Sequence, residues 1–171
     1  MENKVVVRKA VPGDAQFIYG ITKEVFKTYQ EQAGIAGKIA AVNETIADII
    51  KDIETKHVFV AVMDGHVIGS VRIEIFDDGT AYLSRFGVDP HIQSKGIGRA
   101  LIAEVDNLME ESNVKTLCLH TASRMLSLVR FYYGQGFYID STTSDRGYIR
   151  ALLCKEYEAA QTADMFRSNV V

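Results

Sequence analysis

The chain of 171 residues has little of what usually stiffens or anchors a protein. It has two cysteines, Cys118 and Cys154, set in apolar runs with no CxxC pair and no His/Cys spacing of the kind that holds zinc. They read as two buried, reduced thiols. There are two prolines, Pro12 and Pro90, each at an expected element boundary. No apolar run approaches the roughly 18 residues of a membrane-spanning helix, and MENKVVVRKA has no apolar targeting segment. Basic residues are not in excess: 19 Lys and Arg stand against 22 Asp and Glu, a net charge of -3. A broad cationic face for nucleic acid is therefore not expected, although a local basic pocket for a small anion stays open. Repeats and low-complexity stretches are absent from the pattern. The expected protein is cytoplasmic, free of metal, and a partner of neither nucleic acid nor membrane.

What is present is an ordinary globular balance, 47% hydrophobic and 24% charged, enough for one domain with a full core. Lys4–Ala10 predicts a first strand. Pro12-Gly13-Asp14 predicts a turn, with Asp14 as N-cap of a helix over about 14–29. The glycine-containing EQAGIAGKIAAVN predicts a loop or broken helix. A second helix follows Asn43-Glu44-Thr45 to about residue 55, on the spacing of Ile46, Ile49, Ile50 and Ile53. Strands over 57–63, 66–76 and 80–89 are joined by Asp64-Gly65 and Asp77-Asp78-Gly79, which predicts an antiparallel meander. A helix over about 96–112 then leads to VKTLCLHT (114–121), expected to be a strand buried enough to lose alternation. A helix over about 123–134 and a final strand pair complete the order. The strand–helix–strand unit makes its two strands parallel. The fold class is thus α/β (α+β), a single domain with a mixed sheet of about seven strands flanked by about four helices. The domain is expected over 1–157, with a frayed tail over 158–171.

The stretch VDPHIQSKGIGRALI (Val88–Ile102) places Gly96, Gly98, Lys95 and Arg99 at a helix start. Unpaired backbone N–H groups there favour an anion, and glycine allows close approach. A P-loop lysine and serine are lacking, and Leu101 stands where a dinucleotide fingerprint has its third glycine. Gln93-Ser94-Lys95-Gly96-Ile97-Gly98 resembles motif A of the GNAT acetyltransferase superfamily. RFYYGQGF (Arg130–Phe137) resembles its motif B, and the element order resembles its fold over about residues 4–157.

The resemblance implies a splayed parallel strand pair with acetyl-CoA as co-substrate and no metal. Phe86, Gly87 and Val88 would pair with the pantetheine arm through backbone groups. Gln93, Ser94, Lys95, Gly96, Ile97, Gly98 and Arg99 would take the pyrophosphate. It also implies direct acetyl transfer to an amine, with Tyr132 as acid to the departing thiolate and a backbone N–H near Val88 as oxyanion donor. The base is left open among Glu74, His120 and Asp140. The asparagine that such helices often carry seven residues before the tyrosine is Met125 here; Ser123, Arg124 and Ser127 are the nearby polar residues. The acceptor, a small-molecule or peptide amine, would lie between about Tyr29–Val42 and Ser141–Arg150, where Arg85, Arg146, Arg150 and Tyr148 could hold a carboxylate. A homodimer is compatible with the pattern. The competing reading is a non-catalytic acyl-CoA-binding sensor or regulatory protein on the same fold.

Overall fold

The computed structural model describes residues 4–37, 39–92 and 96–158. Gln93, Ser94, Lys95 and nearly all of the expected tail lie outside the described residues. Seven strands form one sheet: β1 (Val5–Lys9), β2 (His57–Met63), β3 (His66–Ile75), β4 (Thr80–Val88), β5 (Thr116–Ala122), β6 (Tyr138–Thr143) and β7 (Arg150–Glu156). Their spatial order is β1-β2-β3-β4-β5-β7-β6, and only β4 and β5 run parallel. The helices are α1 (Ala15–Ala33), α2 (Ala40–Asn43), α3 (Ile46–Thr55), α4 (Ile97–Glu111) and α5 (Leu126–Gly134). There are five rather than four because part of the glycine-containing segment folds as the short α2.

Side-chain alternation along the strands builds two layers against the sheet. Phe59, Ala61, Val71, Ile73 and Leu83 face α4, whose Leu101, Ile102, Val105 and Met109 complete the main core. Val58 and Val60 point the other way, onto Ile18 of α1 and Ile49 of α3. The turn chemistry is as expected: Asp64 and Gly65 both have positive φ, 50° and 79°, which a two-residue hairpin with the right twist requires. In the next turn Asp78 accepts hydrogen bonds from the backbone N and Oγ1 of Thr80.

The helix ends depart from the sequence expectation. Asp14 does not cap α1. Its carboxylate closes the preceding turn by accepting from Val11 N at 2.8 Å and pairs with Arg8 at 2.7 Å. The helix also runs past residue 29 to Gly34, whose φ of 65° ends it in the left-handed conformation. Further on, Thr45 and Asp48 form a reciprocal capping box that starts α3.

β5 corrects a second expectation. It keeps its alternation: Leu117, Leu119 and Thr121 are buried, whereas Thr116, Cys118 and His120 are only half-buried. On the second face of β5, His120 borders a cavity and Cys118 meets Cys154 of β7. Cys118 and Cys154, both free, sit directly opposite each other on β5 and β7 with Sγ atoms 3.0 Å apart.

Candidate active site

The sheet opens between β4 and β5. Thr80, Ala81 and Tyr82 pair with Thr116, Leu117 and Cys118, and pairing stops there. The cause lies on the other side of β4. Between the pairs Ser70–Gly87 and Arg72–Ser84, Arg85 and Phe86 together oppose Val71 alone, and Arg85 is forced to a φ of 52°. This bulge bends β4 away and leaves its β5-facing edge without a strand partner over residues 83–88. A cavity of about 770 Å³ fills the gap. Phe86, Gly87, Val88, Met125, Leu128 and Tyr132 line one part; Tyr82, Ser84, Arg85, His120, Arg146 and Arg150 line the other.

At the first part, α4 begins with no side-chain cap, so its first backbone N–H groups are unpaired within the helix. The two glycines there have different work. Gly96 has a φ of 69° and open space around an imagined Cβ, which suits a backbone cradle for an anion. Gly98 is small for packing. A Cβ there would lie 3.0 Å from the Phe86 ring and 3.3 Å from Phe131. Those rings stack at 5.4 Å between centroids. Phe86 therefore matters as a side chain, beyond the backbone role expected of it. Ile97 is buried in the main core, so only its backbone can meet a ligand, while Arg99 is exposed.

Tyr132 is buried on α5 and lines the cavity. Burial, with smaller contributions from Tyr29 and Tyr82, pushes its phenol well above the ordinary tyrosine range. It stays protonated at physiological pH. Its neighbour Tyr133 is exposed and takes a hydrogen bond from Ile139 N at 3.3 Å. Met125 is buried at the start of α5 and packs with Ala33 and Ala122, so it seals the end of α1 to the site without a polar contact.

In the second part, His120 Nδ1 lies 2.7 Å from the Tyr82 hydroxyl. Burial first, then the charges of Arg150 and Arg146, hold His120 below the ordinary histidine range. It is neutral at pH 7. Glu74 also borders the cavity, opposite Tyr82 across β3 and β4. Its side chain is 49% exposed, with Lys56 Nζ 3.9 Å away. Asp140 is exposed on β6 and does not line this cavity. The structure thus brings Tyr132, His120 and Glu74 to one cavity. Tyr82 went unread in the sequence, although alternation along β4 sets it beside Glu74 on one face. Tyr29, expected only as the start of the acceptor segment, has a further part: its hydroxyl accepts from Ala122 N at 2.6 Å and ties α1 to the open end of β5.

Under the cavity, the fully buried Arg72 gives both terminal nitrogens to Glu44 and one to Asp52, at 2.7 Å and 2.8 Å for the nearest well-formed bonds to each. Residues 22–137 match the family model described as acetyltransferase (GNAT) family.

The chain belongs to the GNAT acetyltransferase family. The description of that family is of acetyltransferases. The structure is similar to that of a PaiA N-acetyltransferase from Thermoplasma acidophilum in complex with coenzyme A, with 21% identity, a TM-score of 0.78, and 90% of this chain and 99% of that one covered. It is also similar to a ribosomal-protein-alanine N-acetyltransferase from Brucella melitensis, with 19% identity, a TM-score of 0.69, and coverage of 89% and 99%. These two likenesses establish the GNAT fold. Among curated proteins, an N-acetylaspartate synthetase of Danio rerio is 33% identical over 88 residues, which is 51% of this chain and 31% of that protein. The chain therefore spans about a third of the length of that relative. No helix among the described residues of this GNAT chain is long and apolar enough to cross a membrane.

Proposed function

We propose that the protein transfers an acetyl group from acetyl-CoA to the amine of a small acceptor by direct attack. The observation that carries this reading is the unpaired β4 edge close to the uncapped start of α4, with Tyr132 and His120 both lining the cavity beside it. The backbone of Gly96 to Arg99 would take the pyrophosphate, with Gln93, Ser94 and Lys95 as further contacts, and the edge of Phe86, Gly87 and Val88 would take the pantetheine amides. The acetyl thioester supplies the activated carbonyl, whose C–S bond breaks as the acceptor's C–N bond forms.

An amine must lose a proton to attack. In the tautomer whose Nδ1–H donates to the Tyr82 oxygen, His120 presents a free lone pair at Nε2 to take that proton. The depressed basicity of His120 keeps this lone pair available at neutral pH. Tyr132, held as a phenol, gives its proton to the leaving sulfur. A backbone N–H near Val88 supports the developing oxyanion. Glu74 is the weaker base, because it is half solvated and lies near Lys56. The same distant likeness to an N-acetylaspartate synthetase supports a small-molecule acceptor.

Calorimetric titration with acetyl-CoA, coenzyme A and NAD, followed by thiol release with amine acceptors, tests the reading. Binding at 1:1 of both coenzyme A species with no NAD signal is expected. Preference for NAD, or no binding of either coenzyme A species, would overturn it.

A further inference from the structure

The described residues include two deeply buried arginines, and the fold treats them differently. Arg72 is locked by two carboxylates. Arg150 begins β7, opposite Ala122 of β5, and its side chain is 9% exposed. It makes one hydrogen bond, from Nη2 to Asp145 at 3.3 Å, and that carboxylate is 62% exposed. Its Nε is buried without a partner. A guanidinium has a planar fork of several N–H donors, and burying it with most of them unused is unfavourable. The surplus donors belong to a side chain that lines the same cavity as His120.

Arg146, in the turn that leads to β7, lines this cavity too, and no ion pair among the described residues involves it. The other cations on the cavity wall lie near carboxylates: Lys56 is 3.3 Å from Asp52, and Arg85 Nε is 3.5 Å from Glu44, although Arg85 Nε, like that of Arg150, makes no hydrogen bond. Both arginines are close enough to bear on His120 and Tyr82: after burial, their positive charge is the next cause that lowers His120, and it opposes the rise of Tyr82. The two arginines therefore project their field onto the place where the acceptor amine must sit.

Resting on the acetyl-transfer reading above, we propose that the acceptor is a small amine bearing a carboxylate, which Arg150 and Arg146 hold so that its amine faces His120. A planar carboxylate matches the guanidinium fork and supplies the acceptor oxygens that Arg150 lacks. A polyamine would bring a second positive charge against two arginines, so the same wall that attracts an amino acid repels a polycation.

The test uses the full chain saturated with acetyl-CoA and follows release of the coenzyme A thiol. The probes are the twenty protein amino acids, their carboxamides and decarboxylated amines, spermidine, and phosphoethanolamine. At least one amino acid is expected to react with a kcat/KM roughly tenfold or more above its carboxamide and its decarboxylated amine, the worth of a charge-assisted hydrogen bond. Arg146→Gln is expected to raise KM for that acid about tenfold and to shrink its advantage over its carboxamide, with acetyl-CoA affinity unchanged. Arg146 is exposed, so folding is not at risk. Equal or faster reaction of the carboxamides, of the decarboxylated amines or of spermidine would overturn the proposal, as would a preference for phosphoethanolamine, or acetyl-CoA binding with no acid acetylated. Failure to bind acetyl-CoA would instead defeat the acetyl-transfer reading itself, and this proposal with it.

Discussion

At the scale of single residues, the site depends on which groups are held neutral. Tyr132→Phe removes the only atom that could protonate the leaving sulfur from that position. A loss of about 100-fold in kcat with unchanged acetyl-CoA affinity is expected, measured by steady-state kinetics beside calorimetry. Unchanged turnover would remove Tyr132 from the chemistry. The two motif glycines should also separate. Gly98→Ala presses a methyl against Phe86 and Phe131 and should cost about 1–3 kcal/mol in urea unfolding. Gly96→Ala meets no neighbour but must adopt a positive φ, at about 1–2 kcal/mol. Sequence spacing found both positions but assigned them one purpose. The purpose of Gly98 depends on two rings from β4 and α5 that meet only in the folded chain. Tyr132 and His120 were legible because a motif and a strand end mark them. The partner of His120, Tyr82, lies 38 residues away and is brought to it by pairing of parallel strands.

At the scale of elements, the burial of Arg72 joins β3 to α3 and to the connection before it. Glu44 precedes α3, Asp52 lies within it, and Arg72 is on β3. Arg72→Ala leaves two carboxylates facing an apolar sheet and should cost about 3–5 kcal/mol, read as a lower urea midpoint. If stability were unchanged, the cluster would be solvated rather than structural. The helix and strand order was legible from hydrophobic periods and from two Asp-containing turns, since these are local signals. Helix ends were less so: Asp14 is an ordinary N-cap in sequence, but Arg8, on the neighbouring strand, draws its carboxylate into an ion pair. The alternation of β5 was visible in TLCLH, yet the apolar leucines masked it, because nothing local reveals which sheet face a helix leaves uncovered.

At the scale of the whole molecule, the histidines set a pH response. Burial, then Lys9, holds His57 below the ordinary histidine range; burial, then Arg150 and Arg146, does the same for His120. The unfolded chain therefore takes up protons before the folded one does once the pH falls below about 6.5. Stability should be full above that pH, decline as it falls, and level off below the folded-state values. Asp14 adds a second loss. Its hydrogen bond from Arg8 depresses its folded value, so its contribution is present above about pH 4 and disappears as pH falls through that lower value. Urea midpoints measured from pH 8 to pH 3 check both steps; a flat midpoint between pH 7.5 and 5 would contradict the first.

The seam between β4 and β5 also follows the order of the chain. Everything on one side of it, β1 through β4, precedes α4, and everything on the other side, β5 through β7, comes after. The peptide crosses once. A break in the turn around Asn113 would therefore yield two pieces, each carrying an uninterrupted run of neighbouring strands. The pieces would meet through three residue pairs between β4 and β5, the packing of α4, the Phe86–Phe131 stack and the Tyr29–Ala122 hydrogen bond.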